Sequence, residues 1–282
     1  MGLLDKLNQL ALEQNYKRMF LLEGDEFKEA ALEMLGNIPN ATFSNAHSKE
    51  MEMFLYKLFG KYMSADITSK DNLGQVFYEF GERGYPLAQE LIAGSESQAE
   101  PKIFHAQRLL NNPSATKEQK KQAEKSMDDG YQQFTNNIKE ADSRATSRDA
   151  LLEELVKMDP KDIQPLDPKY LSSEQGQHFN KEIDPFLGRL YNKVGNKSSE
   201  LSATLSKKSL EFLEAFAEAG YPSAQEIMGM IAYDKGDKKA LNHWAKQVDK
   251  NPFSTVEQHG NAQEDVKETQ AFMAQFQARG GR

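Results

Sequence analysis

The sequence predicts an all-α fold made of helix–turn–helix units, arranged in two tandemly duplicated lobes. One short motif occurs twice, as GYPLAQE at 84–90 and GYPSAQE at 220–226, and the copies differ only at their fourth position. Each copy joins a glycine, which ends a helix in the left-handed conformation, to a proline suited to the first turn of the next helix. Other segments also recur in the same order along the chain.

In the first half, apolar residues at helical spacing predict a series of helices. The first helix, 3–22, carries Leu3, Leu4, Leu7, Leu10 and Leu12. We expect it to pack on the fold rather than on a membrane, because few basic residues accompany the leucines. Further helices are predicted at 25–36, 48–63, 70–83, 86–93, 101–111 and 115–140, with a polar loop around Asn40 to Asn45. The last of these helices is polar enough to be solvated over most of its circumference.

The second half repeats the order of the first half. The run ALLE at 150–153 matches AALE at 30–33, and the helix at 181–187 matches the one at 49–55. After the second motif, the run that begins at Asn251 matches the run that begins at Asn112. The offset between matching segments grows from 120 to 139 residues, as loop insertions would produce. We therefore predict a duplicated helical unit.

The duplication sets the predicted domain limits. The N-terminal lobe covers 1–141 and the C-terminal lobe covers 142–282. The second lobe contains a proline-rich insertion at about 160–177, in which Pro160, Pro165 and Pro168 exclude one continuous helix. This insertion is either an ordered arm laid across the surface or a mobile loop. Long loops in compact domains are often functional.

The small residues of the motifs have a mechanical interpretation as structural joints. Glycine takes the left-handed turn and proline begins the following helix. At Ala224 and Gly229 we expect two helix backbones to approach so closely that a larger side chain would separate them. The predicted joint residues are Gly84, Pro86, Ala88, Gly220, Pro222, Ala224 and Gly229.

A longer pattern surrounds the second motif. It reads Phe212, Leu213, Ala217, Gly220, Ala224, Gln225, Met228, Gly229, Tyr233 and Gly236, and continues into Ala240, Leu241, His243 and Trp244. This pattern resembles the Sel-one-like repeat, a relative of the tetratricopeptide repeat, over about 206–247. The resemblance extends to 70–110, where Ala93 stands in the place of Gly229. It implies an α-solenoid whose groove binds other proteins, and bacterial members of the family include adaptors, secreted effectors and proteins encoded beside toxins.

The composition favours a binding protein over an enzyme. The chain has no Cys, which excludes disulfides and thiolate metal sites, and its net charge of −8 argues against a nucleic-acid partner. No His-x-x-x-His pair, glycine-rich phosphate loop or Gly-x-Ser-x-Gly motif occurs. We predict no catalytic residue, no metal and no cofactor. A membrane span is not expected either, since no run approaches about 20 apolar residues. The N-terminus lacks a signal-peptide pattern, so we expect a cytoplasmic protein.

Seven side chains are candidates for binding a partner: Tyr85, Gln89, Tyr221, Gln225, Tyr233, His243 and Trp244. Two interpretations of the motif residues stay open. The tyrosines pack over the joint while the glutamines hold a loop carbonyl, or the glutamines, with Tyr233 and Trp244, face a groove that binds the partner. We expect His243 to be packed or to face the groove rather than to bind a metal.

The leading hypothesis is a non-catalytic scaffold that binds a protein partner through a groove or the cleft between the lobes. A toxin-immunity or adaptor role in a bacterium is its more specific form, and the acidic charge favours a partner with a basic surface. One alternative is a structural subunit of a virion or secretion assembly. Another is an enzyme whose site, in an inter-lobe cleft, uses His178 and the acidic residues of the proline-rich insertion. The sequence leaves the partner's identity and the oligomeric state open.

Overall fold

The computed structural model describes residues 14–19, 21–36, 38–65 and 67–280. Within these ranges the secondary structure is helical without strands, and consecutive helices pack on one another. The all-α prediction is therefore confirmed. The five leucines of the predicted first helix lie outside the described residues, whereas 14–19 are helical. None of the described helices combines the length and the apolar character that crossing a membrane requires.

The chain forms two compact units, Met1–Gly130 and Tyr131–Arg282. The predicted lobe limits, 1–141 and 142–282, and the tandem duplication stay predictions. The helices of the first unit are α1 (Gly24–Glu33), α2 (Phe43–Ala46), α3 (Lys49–Ser64), α4 (Ile67–Glu82), α5 (Pro86–Ser95), α6 (Ala99–Asn111) and the first part of α7 (Lys117–Arg144).

Most helices of the first unit begin and end within a few residues of their predicted limits, but α2 lies where a polar loop was expected. A capping box closes the N-terminus of this short helix. The Asn45 backbone N–H donates to Thr42 Oγ1 at 3.4 Å, and the Thr42 N–H donates to Asn45 Oδ1 at 2.6 Å. Polar residues that read as a loop thus supply the hydrogen bonds that start a helix.

Aromatic rings form the centre of the first unit's core. The Phe54 ring lies 5.6 Å from the Phe80 ring and 5.3 Å from the Tyr16 ring, measured between centroids. All three side chains are buried. Because Tyr16 belongs to the helical residues 14–19, that segment packs against α3 and α4.

The second unit contains the remainder of α7, then α8 (Arg148–Lys157), α9 (Ser173–Tyr191), α10 (Glu200–Glu218), α11 (Pro222–Asp234), α12 (Lys238–Lys250) and α13 (Val256–Gly280). In this part of α7 a narrow apolar stripe is buried, formed by Tyr131, Phe134 and Ile138. Most of the other side chains of the helix are exposed or half-buried, as its polar composition predicts.

The proline-rich insertion is an ordered arm over 160–172, and its last residues, 173–177, belong to α9. The arm starts with a 3-10 turn, Pro160–Asp162. Its Ile163, Leu166 and Leu171 side chains are buried. The Leu166 N–H donates to the Ala219 carbonyl at 2.8 Å, and the Tyr131 hydroxyl donates to the Pro165 carbonyl. These contacts fix the arm against the corner that follows α10.

Candidate functional site

The two repeated motifs form corners with the same backbone geometry. Gly84 and Gly220 have φ values of +87° and +88°, in the left-handed region that favours glycine. Pro86 and Pro222 stand at the first turn of α5 and α11. The Tyr85 N–H donates to the Phe80 carbonyl at 3.0 Å, and the corresponding bond from Tyr221 to Phe216 measures 3.1 Å. Both corners therefore close their helix ends in the same way.

A glutamine and a distant asparagine lock the first corner. Gln89 Nε2 donates to the Gly81 carbonyl at 2.8 Å, which satisfies a carbonyl near the end of α4. Asn112 Nδ2 donates to the Gly84 carbonyl at 2.7 Å and to Gln89 Oε1 at 2.8 Å. Asn112 Oδ1 in turn accepts from the Ser114 N–H at 2.9 Å. The loop after α6 is thereby tied to the turn before α5.

The second corner has the same set of hydrogen bonds. Gln225 Nε2 donates to the Ala217 carbonyl at 3.0 Å. Asn251 Nδ2 donates to the Gly220 carbonyl at 2.7 Å and to Gln225 Oε1 at 3.0 Å, and its Oδ1 accepts from the Phe253 N–H at 3.0 Å. We call each set, Gln89 with Asn112 and Gln225 with Asn251, the corner clamp.

The tyrosines of the motifs pack edge-on against the preceding phenylalanines. The centroid distance is 5.1 Å between Phe80 and Tyr85 and 5.3 Å between Phe216 and Tyr221. Both tyrosines are buried, and burial raises the pKa of the Tyr85 hydroxyl to about 12. These rings therefore stay neutral and act as packing groups.

Four of the predicted binding side chains, Tyr85, Gln89, Tyr221 and Gln225, are buried within the corners. The expectation that they face a partner is corrected for the two tyrosines, whose rings lie in the core. Gln225 borders the groove described below, but its amide is already bonded within the corner clamp. The contacts match the first interpretation, in which tyrosine packs over the joint and glutamine holds a carbonyl.

Of the predicted joint residues, Ala88 and Ala224 are fully buried, as close helix packing requires. Gly229 differs from the prediction. A methyl group added at Gly229 would lie 3.8 Å from Leu241 Cδ1 and 3.9 Å from Trp244 Cβ, which are ordinary contact distances. The backbones do not touch there, and the position has room for alanine.

The other three predicted binding residues lie at or near the surface of the second unit. Tyr233 on α11 is 61% exposed, and the Lys238 Nζ lies 5.1 Å from the centroid of its ring. On α12, His243 is exposed and Trp244 is half-buried, with 4.9 Å between their ring centroids. Of these three, Tyr233 lines a concavity formed by α11, α12 and α13.

That concavity, which we call the α11–α13 groove, has a volume of about 620 Å³. Its walls are α11, with Met230 and Tyr233, and α13, with Asp265 and Glu268. Its floor is α12. The other lining residues are Tyr191, Gln225, Glu226, Gly229, Asp234, Leu241, Ala245, Val248, Asn261 and Ala262. The volume is in the range of sites that bind ligands or side chains of a partner.

Negative charge surrounds the groove. Burial raises the pKa of Glu226, which accepts a hydrogen bond from Gln258 Nε2 at 2.9 Å. Burial, together with the charges of Glu268 and Glu264, also raises the pKa of Asp265. Raised carboxylate pKa values mean that the folded protein compensates these negative charges incompletely.

A concavity of about 450 Å³ in the first unit does not have this excess of negative charge. It lies beside the first corner and is lined by Phe104, Arg108 and Glu82, among others. The Arg108 guanidinium pairs with the Glu82 carboxylate, and its Cζ lies 5.4 Å from the Phe104 ring centroid. Its charges are paired internally, so this surface offers less to a charged partner.

The structure brings together few groups that could perform chemistry. Across the described ranges, no three His, Asp or Glu side chains form a group that could hold a metal ion. His105 is buried, and burial, with the Arg108 charge, lowers its pKa to about 4. His47 Nε2 lies 2.6 Å from the Ser114 carbonyl oxygen. His178, the residue of the enzyme alternative, is exposed on α9.

Sequence reasoning missed the asparagine of each corner clamp and the carboxylates of the groove. Asn112 and Asn251 begin matching segments, but their positions 28 and 31 residues after the corner glycines gave no sign of the contact. Glu226 belongs to the second repeated motif, and Asp265 and Glu268 lie in a segment to which the sequence analysis assigned no role. Only the packing of α11, α12 and α13 collects them around one groove.

No protein-family model matches this chain, and no curated protein matches it. Among solved structures, a chain described as "Computational Design of Self-Assembling Cyclic Protein Homooligomers" aligns with 94% of this chain and 90% of its own length. The identity is 12% and the TM-score is 0.16. A TM-score this low does not indicate a shared fold, so the match carries no argument. The resemblance to Sel-one-like repeats stays a prediction.

Proposed function

We propose that this protein is a non-catalytic helical-repeat scaffold that binds a protein partner through the α11–α13 groove. The observation that carries the proposal is the exposure of Met230 and Tyr233, which are 45% and 61% exposed beside a floor that contains Leu241, Ala245 and Val248. Apolar side chains exposed around a concave surface are typical of binding sites, and Tyr and Met are enriched at protein interfaces.

The two corner clamps support a narrower proposal, in which the chain is a duplicated protein of the Sel-one-like class. The same hydrogen bonds recur at both corners, from side chains at matching positions of the two halves. Proteins of that class are usually scaffolds, so an adaptor or toxin-immunity role in a bacterial cytoplasm is the specific form of the proposal. The adaptor or immunity role is proposed by analogy with that class, whereas the binding of a partner is proposed from the groove.

Affinity capture from the native cell, followed by mass spectrometry, tests the proposal with three forms of the full chain. The first is the wild type, and the second carries Met230→Glu and Tyr233→Ala. The third is a matched control with Tyr56→Ala and Met63→Glu in the first unit, where these side chains are 57% and 50% exposed. We expect a partner to be enriched by the wild type and the control, and about tenfold less by the groove variant, since aromatic anchors dominate interface energies.

A partner enriched equally by all three forms contradicts the proposal, and so does the absence of any enriched protein. Circular dichroism establishes that the variants keep their helical content. Sedimentation velocity of the purified wild type separates the scaffold from the structural-subunit alternative. A scaffold sediments as a small species near 31.9 kDa or a low multiple of it, whereas a large self-assembly would contradict the proposal.

A further inference from the structure

We infer that the segment which occupies the α11–α13 groove is a basic, amphipathic α-helix of the partner protein. This inference rests on the proposed function and adds the charge and the secondary structure of the bound segment. Three properties of the groove carry it: the charge of the walls, the apolar floor, and the small number of free hydrogen-bond donors in the lining.

Among the described residues, the charged side chains that line the groove are all acidic. The α11 wall contributes Glu226 and Asp234, the α13 wall contributes Asp265 and Glu268, and no described Lys, Arg or His belongs to the lining. In the described part of the chain, no ion pair joins any of these four carboxylates to a basic side chain. The charge of Lys238 acts on Asp265 from the start of α12, outside the lining. A cationic partner would therefore find complementary charge on both walls.

The floor between the acidic walls is apolar. Leu241, Ala245 and Val248 on α12 form the floor, and Met230 on α11 provides a flexible apolar side chain at the edge. Methionine adapts its shape to the side chains that it contacts. The bound segment must therefore combine an apolar stripe, which contacts the floor, with basic residues on both sides of that stripe. This arrangement is an amphipathic pattern.

The lining has few donors for the backbone of an extended peptide. Gln225 Nε2 already donates within the corner clamp, and the Asn261 side chain lies next to the Glu226 carboxylate. The backbone N–H groups of the three helices bond within those helices. Of the described lining donors, the Tyr191 and Tyr233 hydroxyls remain. An extended segment would bury carbonyl groups without partners, whereas a helix satisfies its own backbone.

The dimensions of the walls suit about two turns of a helix. Glu226 and Asp234 are eight positions apart on α11, which corresponds to about 12 Å along the axis. The α11 residues 226, 230 and 233 recur at i, i+4 and i+7, and the α13 residues 261, 265 and 268 have the same spacing. Each wall thus presents one helical ridge, and a third helix can pack its own ridge between them.

Other ligand classes fit these observations less well. A single metal ion needs ligands gathered at one point, and within the described residues no three suitable side chains form such a group. Nucleic acids and anionic membrane surfaces carry charge of the same sign as the walls, so they are repelled. A helix with several Lys or Arg residues distributes its charges along both walls.

Titration with three model peptides tests the inference on the full chain. Each peptide has about 18 residues and contains no tryptophan. The first has Leu at i, i+3, i+4 and i+7 with Lys on the opposite face, the second has Glu in place of Lys, and the third is the Lys peptide with two central prolines that prevent a helix. Trp244 is the single tryptophan of the chain, so its fluorescence can report binding. It lies close to the groove, because its Cβ is 3.9 Å from the position that a methyl group on the lining residue Gly229 would take.

We expect the Lys helix to bind about tenfold or more tightly than the other two peptides, with an affinity that falls as salt is added. The variant Asp265→Lys/Glu268→Lys should weaken the Lys helix by about tenfold and bind the Glu helix more tightly than the wild type does. The matched control is Glu118→Lys/Glu124→Lys on exposed positions of α7, which changes the net charge by the same amount. It should bind within about twofold of the wild type.

Equal affinity for the Lys and Glu helices, binding of the proline-containing peptide, or wild-type binding by the groove variant would overturn the inference. The two proposals fail in distinguishable ways. If Met230→Glu/Tyr233→Ala abolishes capture but the captured partner docks with an acidic or extended segment, the inference fails and the proposed function stands. If capture does not depend on the groove at all, the proposed function fails.

Discussion

Replacing Asn251 with alanine should lower the free energy of unfolding by about 3 kcal/mol. The side chain is buried and makes three hydrogen bonds, to the Gly220 carbonyl at 2.7 Å, to Gln225 Oε1 at 3.0 Å and from the Phe253 N–H at 3.0 Å. Each lost hydrogen bond costs about 1 kcal/mol net, which gives about 3 kcal/mol for the three bonds. The Gly220, Gln225 and Phe253 groups that stay buried without a partner add to this loss. The change Asn251→Asp should cost more, because a carboxylate oxygen would face two acceptors.

Urea unfolding followed by far-UV circular dichroism measures this loss. A slope of about 3 kcal/mol per M, expected for a chain of this size, converts 3 kcal/mol into a shift of the midpoint by about 1 M. Hydrogen exchange read by mass spectrometry locates the destabilised segments. Asn112→Ala should produce a loss of similar size that is confined to the first unit, because its hydrogen bonds match those of Asn251.

The matched control is Asn242→Ala, because the buried Oδ1 of Asn242 accepts no hydrogen bond from the described residues. It should change the free energy of unfolding by less than about 0.5 kcal/mol or stabilise the helix, since alanine is the better helix former. A loss below about 1 kcal/mol for Asn251→Ala would refute the clamp argument. An Asn251→Asp variant as stable as the wild type would refute it equally.

Three further substitutions and one titration have expected outcomes that thermal or urea unfolding and NMR can check. Gly176→Ala should lower the free energy of unfolding by about 3 kcal/mol, because the added methyl would lie 2.0 Å from the ring of Phe253. Gly229→Ala should instead raise it by about 0.5–1 kcal/mol, because that position has room for a methyl group. Equal effects of the two substitutions would contradict this prediction. The His105 ring should titrate by NMR with a pKa of about 4. Between about pH 6.5 and 4 only the unfolded chain takes up this proton, so the contribution of His105 to the free energy of unfolding falls as the pH drops through that range. A pKa near the ordinary value of 6.5 would contradict the burial of the ring. Glu226 has a raised pKa in the folded protein, so its contribution to stability falls as the pH rises from about 4.5 through that raised value, and Glu226→Gln should remove this part of the pH dependence. Identical pH profiles for the wild type and Glu226→Gln would contradict the last prediction.

Part of the fold could be predicted because its determinants are local. The corners at Gly84 and Gly220 follow from residues that stand side by side, since glycine permits the left-handed turn and proline favours the next helical turn. The exception was α2, where Thr42 and Asn45 form a capping box within a polar segment.

The site was less predictable, because its parts are distant in sequence. Tyr233 was a candidate and does line the groove, but Tyr221 was also a candidate and lies in the core. Nothing in the local pattern separates these two tyrosines. What separates them is the position of each side chain relative to the helices that pack around it.

The sequence by itself determined the helices, the two glycine–proline corners and the acidic, cysteine-free character of the chain, since each depends on composition or on neighbouring residues. The tertiary structure decided that Asn251 closes a corner 31 residues before it and that Glu226 and Asp265 line the same groove. Such contacts depend on how whole helices pack, and packing is set by many weak contacts between residues far apart in the chain.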